Sequence, residues 1–296
     1  MSGRHPEYRG SILLEDAEVL GQESWPGGQF VLTLRAPRCA GRALPGSFVH
    51  LSCAADLPMR RPLSIQRADA VAGTIEILYK VVGAGLARLA RAGRGARLSC
   101  LGPIGRPFEP DPGRPRALLI GGGVGMPPMV FLADALAGQP GFKPLGLFGS
   151  EIPFPFHARP STILVAGIPD GTIASHPLLE AHGVPSRLAS LAGLPGCYPG
   201  YVTELASEWL ASLPRDELDK VAIYACGPTP MLKAAARVAQ RFGVPCQVSL
   251  EEFMACAVGG CAGCAVEVAT PAGPAMKRVC VDGPVFDAST VFPPAA

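Results

Sequence analysis

The chain has 296 residues, of which 48% are hydrophobic and 17% are charged, and its formal net charge is +2 at pH 7. A charge this close to zero excludes a broad basic surface of the kind that binds nucleic acid or an anionic membrane. The apolar content excludes a disordered chain, and the length is enough for two domains with a small third one.

The amino-terminal stretch MSGRHPEYRG has neither the apolar core nor the small-residue cleavage site of a secretion signal. The long apolar runs are interrupted by Gly and Pro, so we predict no membrane span. We therefore expect a cytoplasmic protein whose ten cysteines stay reduced. Six cysteines stand singly among apolar neighbours, and we expect most of them to be small core residues. They are Cys39, Cys53, Cys100, Cys197, Cys226 and Cys246.

Residues 1–112 have the pattern of short β-strands bounded by Gly, Pro and Asp. The strand-like runs are GQFVLTLRA, GSFVHLSC, RPLSIQRA, GTIEILYKVV and ARLSCLGPIG. In the fourth run, Ile75, Ile77, Tyr79 and Val81 alternate with other residues, which is typical of a half-buried strand. Several short strands without helical segments between them predict an antiparallel β-barrel. The Pro-rich run FEPDPGRPR, around residues 108–116, is the predicted linker.

Residues 113–246 alternate between apolar strands and helices. The strand ALLIGGG leads into a helix over MPPMVFLADALAG, which we expect to end at Gly138. FKPLGLFG and STILVAG are predicted to be further buried strands. The strand DKVAIYACG precedes the helix TPMLKAAARVAQRFG, with Pro230 in its first turn and Gly243 after its last turn. This alternation predicts a parallel sheet with helices on its faces.

Residues 247–296 contain a group of cysteines followed by two short β-like segments. Four and then two residues separate Cys256, Cys261 and Cys264, and Cys280 follows after fifteen more. The four-then-two spacing is typical of plant-type [2Fe-2S] ferredoxins, and the small intervening residues let backbone N–H groups approach the sulfurs. A zinc site, which usually pairs two Cys-x-x-Cys knuckles, and ordinary thiols are the alternatives.

The RPLS motif at residues 61–64 is a candidate site for a nucleotide cofactor. The Arg61 side chain at a strand end could pair with a phosphate, and the Ser64 hydroxyl could bond a flat polar ring. Gly83 and Gly85, in the later LYKVVGAGLARLA, would allow a pyrophosphate to approach the backbone closely. The motif is short, so a strand end with a solvated arginine explains it equally well.

Two strand–helix turns are candidates for binding a dinucleotide. GGGVGMPP, residues 121–128, has glycines that would let a diphosphate lie at a helix N-terminus. Met126 stands where the Rossmann fingerprint has its third glycine, so a tight turn without a ligand is the alternative. YACGPTPML ends a second strand at residues 226–228, where a nicotinamide would lie. Glu151, after the next strand, favours NAD over NADP because an acid disfavours a 2′-phosphate.

Taken in chain order, the motifs resemble the ferredoxin–NADP reductase superfamily. They are RPLS, GGGVGMPP, YACGPTPML and CAVGGCAGC with the later VCVDGPVF. Within it, the chain is most similar to the electron transfer subunits of NAD-dependent dihydroorotate dehydrogenase. The resemblance implies three domains. These are an antiparallel FAD-binding β-barrel over residues 1–112, a parallel-sheet NAD-binding α/β domain over 113–246, and a small [2Fe-2S] domain over 247–296.

The resemblance also implies which residues bind cofactors. FAD contacts are implied at Arg61, Pro62, Leu63, Ser64, Leu78, Tyr79, Lys80, Gly85 and Leu86. NAD contacts are implied at Gly121, Gly122, Gly123, Gly125, Cys226, Gly227 and Pro228. Cluster ligands are implied at Cys256, Cys261, Cys264 and Cys280. No catalytic residue is predicted, because no nucleophile, base and acid recur in a recognisable pattern.

Three features depart from the family pattern. Leu86 stands where the family often has threonine, so one hydroxyl contact is lost. LASLAGLPGCYPGYVTELA lacks the acidic stretch that often precedes the family's Gly-x-Val-Thr element, here Tyr201 to Thr203. The chain is also longer than is typical, with the excess around residues 151–171.

The function that the resemblance implies is electron transfer. Electrons would pass from a partner dihydroorotate dehydrogenase subunit containing FMN, through the [2Fe-2S] cluster and FAD, to NAD⁺ in pyrimidine biosynthesis, within a heterotetramer. One alternative is a reductase subunit of the same fold that serves a hydrogenase, a sulfite reductase or a ferredoxin-dependent transhydrogenase. A non-catalytic regulatory module with a flavin and a cluster is the second alternative.

Overall fold

The computed structural model describes residues 10, 12–54 and 56–294, so the segment considered as a secretion signal lies outside it except for Gly10. The described residues divide into two compact units. The first consists of the residues up to Pro107 with Leu250–Val285, and the second of Phe108–Ser249 with the residues from Phe286 onward. The cysteine-rich segment is therefore in the same unit as the N-terminal strands. The domain boundaries after residues 112 and 246 stay predictions.

The first unit contains a seven-stranded antiparallel sheet. Its strands are β1 (Leu13–Trp25), β2 (Gln29–Arg35), β3 (Phe48–Leu51), β4 (Arg61–Ser64), β5 (Arg67–Asp69), β6 (Thr74–Lys80) and β7 (Arg97–Ile104). Two short helices, α1 (Pro37–Ala40) and α2 (Gly83–Leu89), connect some of them. The strand order is β4-β3-β7-β1-β2-β6-β5. Each run that the sequence predicts as a strand in this part of the chain is present in the sheet.

The sheet curls because its two edge strands are consecutive in the chain. Only Ile65 and Gln66 separate β4 from β5. The Ile65 N–H donates to the Ser47 carbonyl (3.2 Å), and the Gln66 N–H donates to the Glu76 carbonyl (2.8 Å) in β6. Since two residues span only about 7 Å, the edges are held close together. The predicted antiparallel barrel is thereby confirmed. The fully buried residues of its interior include Leu32, Leu34, Ile75 and Ile77.

Strand β1 is not predicted by the sequence patterns, although it occupies the centre of the sheet. Its buried residues Leu13, Ala17 and Val19 are mixed with acidic ones. The register against β2 also shifts between Val19 and Gly21. Such an irregularity interrupts the alternation by which a half-buried strand is recognised. The strand forms because it pairs along both of its sides, with β2 and with β7.

The second unit contains a parallel sheet. In chain order its elements are β8 (Arg116–Gly122), a 3₁₀ turn (Gly123–Gly125), α3 (Met126–Ala137), β9 (Leu145–Gly149), β10 (Arg159–Pro160), β11 (Ala174–Ser175), α4 (Pro177–Ala181), β12 (Ser186–Ala189), α5 (Val202–Ala211), α6 (Arg215–Leu218), β13 (Val221–Cys226), α7 (Thr229–Phe242) and β14 (Cys246–Ser249). Strands β12-β9-β8-β13-β14 are neighbours in parallel pairs, and β10 and β11 form a separate ribbon. As predicted, α3 ends at Gly138, and α7 ends at Gly243 with a left-handed φ of 68°.

The prediction that STILVAG, residues 161–167, forms a buried strand is wrong. This segment has no regular secondary structure, and Leu164 is 96% exposed. Polar groups hold its main chain instead. The Glu180 carboxylate accepts from the Thr162 N–H (2.6 Å), and Arg187 donates to the Ile163 carbonyl (2.8 Å). Apolar β-branched residues favour a strand only when they fit a pleated, half-buried surface, and these polar contacts impose an irregular path.

The C-terminal residues contribute to both units. The cysteine loop is the segment 256–264, which carries three of the four clustered cysteines. After it, β15 (Ala265–Thr270) and β16 (Gly273–Arg278) form an antiparallel hairpin, which confirms the two short β-like segments. Cys280 lies in the short helix α8 (Val279–Asp282). Strand β17 (Val285–Asp287) then joins the parallel sheet beside β14, and α9 (Ala288–Val291) follows. Among the described residues, no helix combines the length and apolar character needed to cross a membrane.

Candidate functional site

The second unit has two glycine-containing turns, residues 121–128 and 226–228, which lie side by side at the carboxyl ends of the strands of its sheet. Strands β8 and β13 are parallel neighbours, and Gly121 is paired with Cys226 in their register. Pro228 directly precedes α7. From β8 the sheet continues through β9 to β12, whereas on the other side β13 is followed by β14. An open parallel sheet binds ligands at such a switch point, outside the carboxyl ends of its strands.

Close packing between the two turns requires their glycines. A Cβ atom on Gly125 would overlap the Cys226 carbonyl, and one on Gly122 would overlap the Met231 sulfur. A Cβ atom on Gly227 would lie 2.6 Å from the Met231 methyl carbon. These glycines therefore permit contact between the turns themselves, in addition to any approach of a dinucleotide.

The first turn offers a limited set of N–H groups to a diphosphate. Pro127 and Pro128 lie in the first turn of α3 and carry no N–H. The Met126 N–H donates to the Gly123 carbonyl, so the remaining donors are the N–H groups of the Gly123–Gly125 turn. The turn begins with a left-handed φ of 54°, a conformation in which successive N–H groups can form an anion-binding concavity.

Two acidic residues of α5, Glu204 and Glu208, have structural partners. The Tyr201 N–H donates to the Glu204 carboxylate (2.8 Å), which caps the helix. The Tyr198 hydroxyl donates to the Glu208 carboxylate (2.5 Å). These carboxylates therefore do not substitute for the acidic stretch that is absent from residues 189–200. Glu151, two residues after β9, is exposed to solvent.

In the first unit, the structure brings together predicted flavin contacts from β4 and α2. A Cβ atom on Gly85 would lie 2.9 Å from two nitrogens of the Arg61 guanidinium, so the absence of a side chain there makes room for the arginine. Arg61 Nη1 also donates to the carbonyls of Met59 (2.9 Å) and Arg60 (3.0 Å). These contacts hold the planar guanidinium in one orientation, which suits the recognition of a phosphate.

The predicted flavin contacts in β6 differ in exposure. Leu78 and Tyr79 are buried, whereas the Lys80 side chain is exposed. Tyr79 stacks on Phe30 with ring centroids 5.5 Å apart, and its hydroxyl donates to Gln22 Oε1 (2.6 Å). Burial raises the pKa of the Tyr79 phenol. Because this side chain belongs to the barrel interior, a contact of Tyr79 with a cofactor would be made by its main chain.

The cysteine loop directs backbone N–H groups at its sulfurs. The Cys261 N–H donates to Cys256 Sγ (3.4 Å), and the Gly263 N–H donates to Cys261 Sγ (3.4 Å). The Cys280 N–H donates to Cys264 Sγ (3.5 Å). Such bonds favour thiolates and tune a metal centre that the thiolates ligate.

Two alanines of the loop have left-handed backbone conformations. Ala257 has a φ of 57° and Ala262 a φ of 55°, and each directly follows a cysteine. A residue other than glycine adopts this conformation at a cost of roughly 1 kcal/mol. Backbone strain of this kind is concentrated at functional sites, and here it turns the chain back toward the preceding sulfur.

The four thiols form two linked pairs. Cys256 is hydrogen-bonded to Cys261, and Cys280 to Cys264. Burial raises the pKa of Cys256, but hydrogen bonds from the N–H groups of Val258, Cys261 and Gly260 and from the Cys261 side chain lower it to about 6. Burial, followed by the bond to Cys264, raises the pKa of Cys280 to about 12. Within the described part of the chain, no three His, Cys, Asp or Glu side chains are arranged to hold a metal ion. Two adjacent pairs still supply the four cysteines that a [2Fe-2S] cluster takes.

Sequence patterns alone do not identify Arg278 and Asp282, which flank Cys280. The Arg278 N–H and Nε both donate to Asp282 Oδ2, at 2.7 and 3.2 Å. Arg278 Nη1 donates to the Gly259 carbonyl (2.9 Å) in the cysteine loop. The available sequence signal is a pair of opposite charges four residues apart around the last cysteine.

The chain is similar in sequence to a described family and to several known proteins. Residues 251–292 match the family described as the iron-sulfur cluster binding domain of dihydroorotate dehydrogenase B. A dihydroorotate dehydrogenase B (NAD(+)), electron transfer subunit from Geobacillus thermodenitrificans is 35% identical over 284 residues, covering 94% of this chain and 98% of that protein. The protein of the same name from Caldanaerobacter subterraneus subsp. tengcongensis is 34% identical over 251 residues, covering 84% of this chain and 87% of that protein.

Solved structures of reductases share the fold. An NADH-dependent reduced ferredoxin-NADP oxidoreductase matches with a TM-score of 0.69 and 24% identity, over 93% of this chain and 89% of that chain. The ferredoxin reductase in carbazole 1,9a-dioxygenase matches with a TM-score of 0.59 and 22% identity, over 79% of this chain and 67% of that chain. At these identities the similarity concerns the fold alone.

Proposed function

This chain belongs to the family of dihydroorotate dehydrogenase B (NAD(+)) electron transfer subunits, and we propose that it transfers electrons for a dihydroorotate dehydrogenase. Its partner is the FMN-containing catalytic subunit, which oxidises dihydroorotate, and the final acceptor is NAD⁺ in pyrimidine biosynthesis. The observation that carries the proposal is the group of four cysteines, linked in two pairs. It occurs in a chain that is related to such subunits over 94% of its length. A heterotetramer with the catalytic subunit is the proposed assembly.

Three groups of residues are proposed to hold the cofactors. The cluster ligands are Cys256, Cys261, Cys264 and Cys280. The FAD contacts are the residues of RPLS with Leu78, Tyr79, Lys80, Gly85 and Leu86. The NAD contacts are Gly121, Gly122, Gly123, Gly125, Cys226, Gly227 and Pro228. When bound, a flavin exchanges two electrons with a nicotinamide and single electrons with an iron–sulfur cluster. The proposed domains for these three functions are residues 1–112, 113–246 and 247–296.

The cysteine loop fits a [2Fe-2S] cluster through its donors and its burial. The three N–H to sulfur bonds described above offset the negative charge of bound thiolates. Cys264 and Cys280 are 4% and 1% exposed, whereas Cys261 is exposed. The loop would therefore protect one side of the cluster from water and present the other side at the surface, where a partner can exchange electrons.

The flavin and nicotinamide sites differ in how completely this chain supplies them. Arg61, fixed against Gly85, provides a preorganised cation for the FAD pyrophosphate. At the nicotinamide turns, Pro127 and Pro128 reduce the number of N–H donors. Glu151 would meet the ribose 2′-hydroxyl and disfavour a 2′-phosphate, so NAD is the proposed dinucleotide.

The test is anaerobic co-purification of this chain with an FMN-containing dihydroorotate dehydrogenase catalytic subunit from the same organism. We expect flavin and about two irons per chain, an EPR signal on reduction, and NAD⁺ reduction that depends on dihydroorotate. The matched control is the same preparation without the catalytic subunit, which should oxidise NADH with a dye but not use dihydroorotate. An iron-free yellow protein would contradict the cluster. A red-brown protein inactive with dihydroorotate would indicate another partner, and one that binds flavin but never reacts with NADH would indicate a regulatory module.

A further inference from the structure

The charged pair beside the cysteine loop connects three parts of the proposed cluster site. Arg278 is the last residue of β16, and Asp282 ends the short helix that carries Cys280. The Asp282 side chain is 7% exposed and that of Arg278 is 32% exposed, so the ion pair is shielded from water on one side. A shielded pair of this kind interacts with neighbouring charges more strongly than a surface pair does.

Arg278 holds a peptide group that itself contacts a sulfur. Its Nη1 donates to the Gly259 carbonyl (2.9 Å), and the Gly259 N–H in turn bonds to Cys280. Gly259 has a left-handed φ of 79°, which a residue with a side chain would adopt only with strain. The arginine thus fixes the middle of the Cys256–Cys261 segment against the most distant of the four cysteines.

The Arg278 guanidinium also interacts electrostatically with both buried sulfurs, those of Cys264 and Cys280. An arginine keeps its positive charge at all physiological pH values. A cluster that accepts one electron gains one negative charge, and a fixed positive charge nearby stabilises that reduced form. Net charge and hydrogen bonds to the sulfurs are among the factors that set the reduction potential of such clusters.

We propose that Arg278 is a positioning residue that raises the reduction potential of the [2Fe-2S] cluster, and that Asp282 partly opposes it. This inference rests on the proposed cluster. Arg278 acts through its charge beside Cys264 and Cys280 and through the Gly259 peptide that it holds. Lys277, the preceding residue of β16, provides a matched control, because successive strand residues face opposite sides of a hairpin.

The experiment is a dithionite titration of the full-length protein, purified anaerobically, with the reduced cluster followed by EPR. In Arg278→Gln, we expect the reduced cluster to be disfavoured roughly three- to tenfold, a potential about 30 to 60 mV more negative for a one-electron couple. Arg278→Lys should stay near the wild-type potential, because the charge is kept. Asp282→Asn should shift the potential in the positive direction. Lys277→Gln removes the same charge from the other face and should leave the potential unchanged.

Two results would overturn the inference. One is a potential in Arg278→Gln that equals the wild-type value or that of Lys277→Gln. The other, which applies even if Arg278→Gln fails to hold iron, is a potential in Asp282→Asn that is unchanged or more negative. Iron content and the EPR signal of the wild-type protein separate this outcome from a failure of the proposed function. An iron-free wild type would overturn both, whereas a wild type with a normal cluster and insensitive variants would overturn only the role of Arg278.

Discussion

The glycine-rich turns of the second unit and the cysteine loop of the first are both built from small residues, but for opposite reasons. At Gly122 and Gly125, the place of a side chain is already occupied by protein atoms. Among the described residues other than its chain neighbours, none has an atom within 4 Å of that place at Gly260, and at Gly263 the Cys261 sulfur lies 3.5 Å from it. Small residues allow close packing in the turns, whereas in the loop they leave open space around the sulfurs.

This difference shows that glycine content has no single meaning at a cofactor site. In the turns, a side chain would disrupt the protein itself, whether or not a nucleotide is bound. In the loop, a side chain would enter space that the protein leaves open beside the sulfurs. Substitutions in the two regions should therefore separate effects on folding from effects on cofactor content.

The largest effect is expected for the buried cysteines. Cys264→Ser or Cys280→Ser removes one of the four proposed sulfur ligands, at a position that is nearly inaccessible to a replacement ligand from solvent. We expect loss of most of the bound iron and sulfide, measured per chain by chemical analysis and by the visible absorption spectrum. Cys197→Ser is the control, since that residue lies in the other unit, and it should keep full iron content. Full iron in both ligand variants would show that the cluster is elsewhere.

In the glycine-rich turns, the predicted effect is on stability as well as on binding. A methyl group on Gly125 overlaps the Cys226 carbonyl, so Gly125→Ala should cost about 1 to 3 kcal/mol of unfolding free energy and weaken NADH binding. Urea unfolding and NADH titration measure the two effects. Gly138→Ala is the matched control, because the added methyl group would meet no atom within 4 Å from the described residues beyond its chain neighbours. Equal stability of the two variants would contradict the close packing of the turns.

Close packing in the second unit also makes its stability depend on pH. His176 is 6% exposed, with the Phe156 ring 4.2 Å away, and burial lowers its pKa from 6.5 to about 3. Between these values the unfolded chain binds more protons than the folded one, so stability present above pH 6.5 is lost as the pH falls. This histidine should account for about 2 kcal/mol between pH 7 and pH 5. His176→Phe should reduce the loss of unfolding free energy over that range by a similar amount. An unchanged pH dependence would show that His176 is charged or accessible in the folded protein.

The smallest effect on stability is expected in the open part of the cysteine loop. Gly260→Ala places a methyl group where no described residue beyond the chain neighbours has an atom within 4 Å, so the unfolding free energy should change by less than about 0.5 kcal/mol. Urea unfolding beside Gly125→Ala gives the direct comparison between the two regions. If both alanine substitutions lower the unfolding free energy equally, the loop is packed as closely as the turns.

The sequence by itself determined those features that depend on neighbouring residues. The four-then-two cysteine spacing places three of the proposed ligands on one short loop. Pro230 and Gly243 mark the start and end of α7 because helix ends have local requirements. Tertiary structure decided the features that depend on distant partners. Strand β1 forms through pairing on both sides despite its irregular pattern, and STILVAG is irregular because Glu180 and Arg187 bind its main chain.

The candidate sites divide in the same way. The four cysteines could be proposed as cluster ligands from the sequence, because the spacing of the first three is typical of [2Fe-2S] proteins. Two other features could not be predicted from the sequence. They are the pairing of Gly121 with Cys226 and the hydrogen bond from Arg278 to the Gly259 carbonyl. Each joins distant segments whose proximity depends on strand register and loop path. Local spacing constrains which atoms can bind, whereas only the folded chain determines which distant charges and peptide groups surround them.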